Sequence, residues 1–184
     1  PDYYFESALI DLGYDTYFDD SVSTPRIDTI ITLNIDSANI SDLTGIEDFL
    51  ALTHLSCSNN QLTNLDLSLN TSLVSLNCNN NSLISLDLRN GNNTNFSLFD
   101  ATNNLNLTCI NVDNAAWSTS NWTLIDPAHY FSTNCSLSAI EDFIGNKDIL
   151  KFKDLLGRDI ENRTNELLFR IYDNGKVEKT IIIE

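Results

Sequence analysis

Four cysteines, two histidines, two tryptophans and several paired acids are the side chains in this 184-residue sequence with chemistry to offer. Cys57 and Cys78 stand one above the other in a repeated segment, while Cys109 and Cys135 bracket an aromatic stretch. No C-x-x-C or H-x-x-x-H spacing occurs, so no metal ligands are assigned. The nucleophile elbow, the phosphate loop and the zincin helix are absent too. His54 and His129 are isolated, and the two "IEDF" segments at 46–49 and 140–143 read as solvated acids rather than an acid–base pair. Trp117 and Trp122 have rings that could stack on a sugar; sealing the end of a core is the preferred reading. We therefore expect no catalytic residues, no cofactor and no enzyme.

What positions these residues is a repeat. A shift of 21 lays Leu52, Leu55, Cys57, Asn60, Leu62, Leu65 and Leu67 on Leu73, Leu76, Cys78, Asn81, Leu83, Leu86 and Leu88. The pattern L-x-x-L-x-(L/C)-x-x-N-x-L at such a period is the leucine-rich repeat signature. Leu33, Ile35, Ile40 and Leu43 extend it upstream, and Phe96, Phe99, Ala101 and Asn104 extend it downstream, with "NGNN" at 90–93 absorbing the extra length. Leu107, Ile110 and Val112 complete the last of four rungs over residues 29–112.

The expected fold is a leucine-rich repeat solenoid, strand-rich, with an N-terminal capping helix and a small C-terminal antiparallel β unit. Alternating leucines point inward and bury themselves on the next rung, because one rung alone has no partner for its apolar face. Parallel strands are predicted near 31–36, 53–58, 74–79 and 97–102, with a second short strand in "NLDLS" and "SLDLR". Asn60, Asn81 and Asn104 should turn inward and bond the bend backbone. Residues 1–28 read as the front cap, with Phe5, Ala8, Leu9 and Leu12 on one helical face, Asp2 as N-cap and Gly13 as stop. Residues 113–136 read as the back cap, bringing Trp117, Trp122, Tyr130 and Phe131 over the last rung.

On this scaffold the cysteines separate. A Cys109–Cys135 disulfide would close the back cap, a loop of about 27 residues contributing roughly 3 kcal/mol in the chain-entropy model. Cys57 and Cys78 share an inward phase on adjacent rungs, about 4.8 Å apart; their parallel Cβ vectors suit a disulfide badly, so we read them as buried small hydrophobes. The candidate binding surface is the outward strand face: Thr32, Asn34 and Asp36; His54, Ser56 and Ser58; Ser75, Asn77 and Asn79; Leu98, Asp100 and Thr102. Its hydroxyl and amide groups suit a glycan or a polar protein patch.

Charge marks a boundary. Residues 1–136 hold two basic residues, Arg26 and Arg89, against sixteen acidic ones, whereas 137–184 hold eight basic and ten acidic. The overall formal charge of −16 argues against nucleic acid, whose phosphates need clustered Lys and Arg. No apolar run reaches the roughly 18 residues of a membrane helix, so no transmembrane segment is expected. The chain starts at Pro1 rather than Met, and a targeting peptide is expected to precede it. Near the end, "LLFRIYD" and "KVEKTIIIE" flank Asn174-Gly175, a hairpin turn signal.

"PDYYFESALIDLGYD", "NISDLTGIEDFLALTHLSCSNNQLTNLDLS" and "NLNLTCINVDNAAWSTSNWTLIDPAHYFSTNC" resemble the leucine-rich repeat proteins of Bacteroidetes, marine flavobacteria above all; internalins share the "NISDLTGIEDF" style of rung. The tail "KFKDLLGRDIENRTNELLFRIYDNGKVEKTIIIE" is similar to C-terminal sorting sequences of the type IX secretion system, here a short variant over 137–184 with no "YPNP"-like opening. The resemblance implies a protein exported to the medium or the outer-membrane cell surface, with the secretion machinery as a partner of the tail. It also implies O-glycosylation at Asp-Ser/Thr-hydrophobic triplets, on Ser21, Thr29 and Ser37. Two functions follow as expectations: a secreted or surface recognition module for an unknown protein or glycan ligand, or an accessory subunit of a surface complex that keeps its tail.

Overall fold

The computed structural model describes residues 2–135 in full and, beyond them, the backbones of 149–153, 159–160, 167–172 and 177–181. The chain divides into two compact units, Pro1–Ser136 and Leu137–Glu184. In the first unit the order is α1 (Tyr3–Asp11), α2 (Thr24–Ile27), β1 (Thr32–Asn34), β2 (His54–Ser56), β3 (Asn64–Asp66), β4 (Ser75–Asn77), β5 (Ser85–Asp87), β6 (Leu98–Asp100), β7 (Cys109–Asn111), α3 (Ala115–Asn121) and β8 (Tyr130–Ser132).

Two parallel sheets wind side by side, β1-β2-β4-β6 and β3-β5-β7-β8. Leu33, Leu55, Leu76 and Phe99 are register partners in the first sheet and form one buried column. Leu65, Leu86, Ile110 and Phe131 form the matching column in the second. These are the alternating apolar positions of the repeat, and each fully buried leucine contributes about 1.5–3 kcal/mol. An inward asparagine closes the bend after β2, β4 and β6, while Ala38 takes that position after β1. Asn81 shows the device: its Oδ1 accepts the Leu62 N–H at 3.0 Å, and its Nδ2 donates to the Cys57 and Cys78 carbonyls at 3.0 and 3.1 Å. Asn60 and Asn104 repeat it one rung before and after.

The sheets are offset by one rung. The first rung contributes β1 but no strand to the second sheet, where a 3-10 turn at Ile46–Asp48 follows instead. At the other end Leu124 bridges to Asp100 and β8 pairs with β7. Residues 113–135 are therefore more than a lid: they supply a partial fifth rung beyond the four that the leucine spacing suggests.

The two ends of the first unit differ in detail from the expected faces. Helix α1 is N-capped by Asp2, whose Oδ1 accepts the N–H groups of Tyr4 and Phe5, and Gly13 follows its end at φ +78°. Phe5 and Leu9 enter the core, but Leu12 is 44% exposed, and Glu6 in the first turn is buried. Leu12 lies past the helix end as its C-cap, and the Glu6 carboxylate is turned in to accept the N–H groups of Asp19 and Asp20. Tyr130 is likewise exposed, because β8 alternates and Phe131 takes the inward position. Trp122 is buried against Phe99, with ring centroids 4.3 Å apart, and Trp117 packs edge-on against it.

In the second unit, β9 (Ile149–Lys153), β10 (Asp159–Ile160), β11 (Leu167–Tyr172) and β12 (Val177–Ile181) form an antiparallel sheet in the order β10-β9-β11-β12. The expected Asn174-Gly175 turn and the second "IEDF" lie outside the described residues.

Candidate functional site

The outward positions of the first sheet stack in register. Thr32, His54, Ser75 and Leu98 make one row across four strands, and Asn34, Ser56, Asn77 and Asp100 make the next. Asp36, Ser58, Asn79 and Thr102 follow just beyond the strand ends. The face is less open than its residue types suggest. Ser58 and Ser75 are buried, at 5% and 8% exposure, a correction to the expected surface, since neighbouring rungs cover so small a side chain.

Several of the remaining groups are committed to one another. Asp36 Oδ1 accepts the Ser56 hydroxyl and the Ser58 N–H, both at 2.7 Å. Asp100 accepts the Asn79 amide at 2.9 Å through one oxygen, and the Thr102 N–H and hydroxyl through the other. Partial burial acts to raise the Asp100 pKa, but these donors outweigh it and hold the carboxyl below its ordinary value. Asn34 and Asn77 use their Oδ1 atoms to accept N–H groups two residues on, from Asp36 and Asn79.

Thr32, Asn34 and His54 are exposed on the first two rungs, and Leu98 is exposed on the fourth. His54 Nδ1 shares a hydrogen bond with the Thr53 hydroxyl at 2.7 Å. The face thus runs from polar to apolar along the stack. Its apolar end adjoins a shallow groove of about 240 Å³ lined by Phe96, Ser97, Leu98, Trp117, Asn121 and Leu124 among others. Such a strip can hydrogen-bond a polar ligand and anchor it on an apolar end.

The other candidates fall elsewhere. Cys109 and Cys135 are bonded to one another. Cys57 and Cys78 are free thiols at 0% exposure, and burial first, then the neighbouring thiol and Asp36, pushes the Cys57 thiol well up. Neither thiol is poised for reaction. Ser21, Thr29 and Ser37 are all exposed; the Ser21 hydroxyl donates to Asp19 at 2.7 Å. His129 is buried, its Nε2 3.2 Å from the Asn104 carbonyl and its Nδ1 accepting the Asp126 N–H, so it ties the fifth rung to the fourth.

Sequence reasoning found the inward asparagines but not their partners in sequence. Ser37, Asn59, Asn80 and Asn103 have φ between 52° and 58° and recur once per rung. The repeated "NN" is the readable signal: the first residue adopts the left-handed conformation that asparagine tolerates, and the second fills the bend.

No family model matches the chain. It is 37% identical over 71 residues to Internalin J of Listeria monocytogenes serotype 4b (strain F2365), a match covering 39% of this chain and 8% of that protein. The chain thus spans a small fraction of the relative it matches. A solved chain described as the functional domain of InlJ from Listeria monocytogenes, including a cysteine ladder, is 27% identical with a TM-score of 0.49, over 73% of this chain and 26% of that one. Among the described residues no helix is long and apolar enough to cross a membrane. Stacked rungs, the asparagine bends and the 37% match together support a leucine-rich repeat protein.

Proposed function

We propose that this chain is a non-catalytic recognition or adhesion module, secreted or displayed on a cell surface, that binds through the outward face of its first sheet. The observation that carries this reading is the stacked row Thr32, His54, Ser75 and Leu98, exposed at all but Ser75 while the inward positions and bends are consumed by the core. The match to Internalin J supports a repeat module of this kind. The ligand is a glycan or a polar protein patch. Four strands at about 4.8 Å spacing span only about 14 Å, so this face alone binds weakly and gains from the adjoining groove. The test is capture of a ligand from native surface extract by immobilised protein. His54→Glu with Leu98→Lys should abolish capture without lowering the melting temperature. Capture that survives this pair but fails with Trp117→Ala would move the site to the aromatic end.

The basic-richer second unit we read as a type IX sorting tail, recognised by the secretion machinery at the outer membrane. A chain ending at Cys135 should then fold and accumulate inside the cell; normal surface delivery would remove this assignment. O-glycans on Ser21, Thr29 and Ser37 belong to the same reading, and peptide mass spectrometry of native protein checks them.

A further inference from the structure

The one-rung offset leaves the front edge of the second sheet without a strand. Among the described strands β3 leads that sheet and pairs with β5 alone. The bonds from Ile84 N–H to the Thr63 carbonyl and from Leu67 N–H to the Asp87 carbonyl turn residues 63, 65 and 67 toward β5. By the alternation of an extended chain, the N–H and C=O groups of Asn64 and Asp66 face the other way. Both residues are exposed, and none of these four groups has a partner among the described residues. Residues 42–44 hold the same phase one rung earlier, yet they do not pair with β3. Asp42 Oδ1 accepts the N–H and hydroxyl of Thr44, and Glu47 Oε2 accepts the N–H of Gly45, where the chain turns at φ +102°.

The result is a groove of about 330 Å³ beside the open edge. Leu43, Ile46 and Leu65 line it from the core, Leu69 lines it at 65% exposure, and Asp42, Glu47 and Asp66 add carboxylates. Glu47 Oε1 and Asp66 Oδ2 accept no hydrogen bond among the described residues. No lysine or arginine lines the groove. Arg89, one rung on, spends its guanidinium on Asp87 while sensing the charge of Asp66, and Arg26 bonds the Thr16 hydroxyl in the front loop. We propose that this edge docks an extended, lysine- or arginine-bearing segment of a partner protein, added as a strand ahead of β3. Main-chain bonds to Asn64 and Asp66 supply the ladder, and the carboxylates select basic side chains. Charge decides against a second copy of this chain as occupant: residues 1–136 carry two basic side chains against sixteen acidic ones, so two such units repel. The edge belongs to the second sheet, so the proposal stands whether or not the outward face of the first binds a ligand.

The test uses the full isotope-labelled chain with its disulfide intact and the peptide acetyl-Lys-Val-Lys-Val-Lys-amide. In amide NMR spectra at low salt, the Asn64 and Asp66 resonances should shift and gain protection from hydrogen exchange, while those of His54 and Asn77 stay in place. Full backbone N-methylation of the peptide keeps its charge, removes every main-chain donor and should weaken binding about tenfold. Glu47→Gln with Asp66→Asn keeps the local hydrogen bonds and should weaken binding about two- to tenfold. Asp11→Asn with Asp20→Asn, an equal loss of charge at exposed sites, should change it less. The proposal is overturned by unshifted Asn64 and Asp66 amides, by equal binding of the methylated peptide, or by equal weakening in the control pair, which would mean diffuse charge attraction only. Protection of the two amides that grows with protein concentration in the absence of peptide would overturn it too, by assigning the edge to a second copy.

Discussion

At the residue scale, stability rests on inward asparagines as well as on buried leucines. Asn81 satisfies three backbone groups that no strand pairs, so Asn81→Ala leaves a buried N–H and two carbonyls short of partners. The expected loss is about 1–3 kcal/mol, read from urea denaturation. Its neighbour Asn80 sits at φ 52°; Asn80→Gly should be nearly neutral, whereas Asn80→Val should cost more than about 1 kcal/mol, because a β-branched residue resists that conformation. The inward leucines were legible because an offset of 21 to 23 residues repeats their phase from rung to rung. Ser58 and Ser75 were not, because a small side chain in the outward phase is covered or open according to the bulk of its neighbours, which periodicity does not encode.

At the element scale, helix α1 is tied to the first bend by one carboxylate. Asp2 caps the helix through Oδ1 and accepts the Ser41 N–H and hydroxyl through Oδ2. Burial acts to raise its pKa, but the Ser41 and helix donors outweigh it, so the folded value lies below the ordinary one. Asp100 behaves alike. A carboxyl depressed on folding adds stability that is complete above its unfolded pKa of about 3.9 and fades as pH falls through the folded value. Acid titration of the melting temperature should therefore show a loss setting in below about pH 4, and Asp2→Asn should shrink it. The back cap depends on covalent closure instead: Cys109→Ser with Cys135→Ser opens a loop with a sequence separation of 26 and should cost roughly 3 kcal/mol, read as a lower melting temperature. The caps were only half legible. Asp2 and Gly13 mark the helix ends by their own chemistry, whereas the inward turn of Glu6 and the exposure of Leu12 depend on a loop that no repeat constrains.

At the scale of the whole molecule, the chain divides into two compact units. The first carries a single buried cluster running from Phe5 to Phe131. A chain truncated after Ser136 should keep the melting transition of the repeats unchanged in calorimetry, and a lowered one would show that the tail contributes to their stability. The charge break marked this division in the sequence. The one-rung offset between the sheets was not visible there, since leucine spacing counts rungs without saying which strand of each rung pairs. That offset has a consequence for self-association. The back end of the stack advances in the sheet where the front end is recessed, so two copies meeting head to tail would fit as step into step. Such heterologous contacts do not close, and they propagate into filaments. Helix α1 and mutual repulsion between strongly acidic units stand against that growth. Removal of residues 1–23 at high salt should release it, with light scattering rising steeply with protein concentration, while the intact chain stays dispersed.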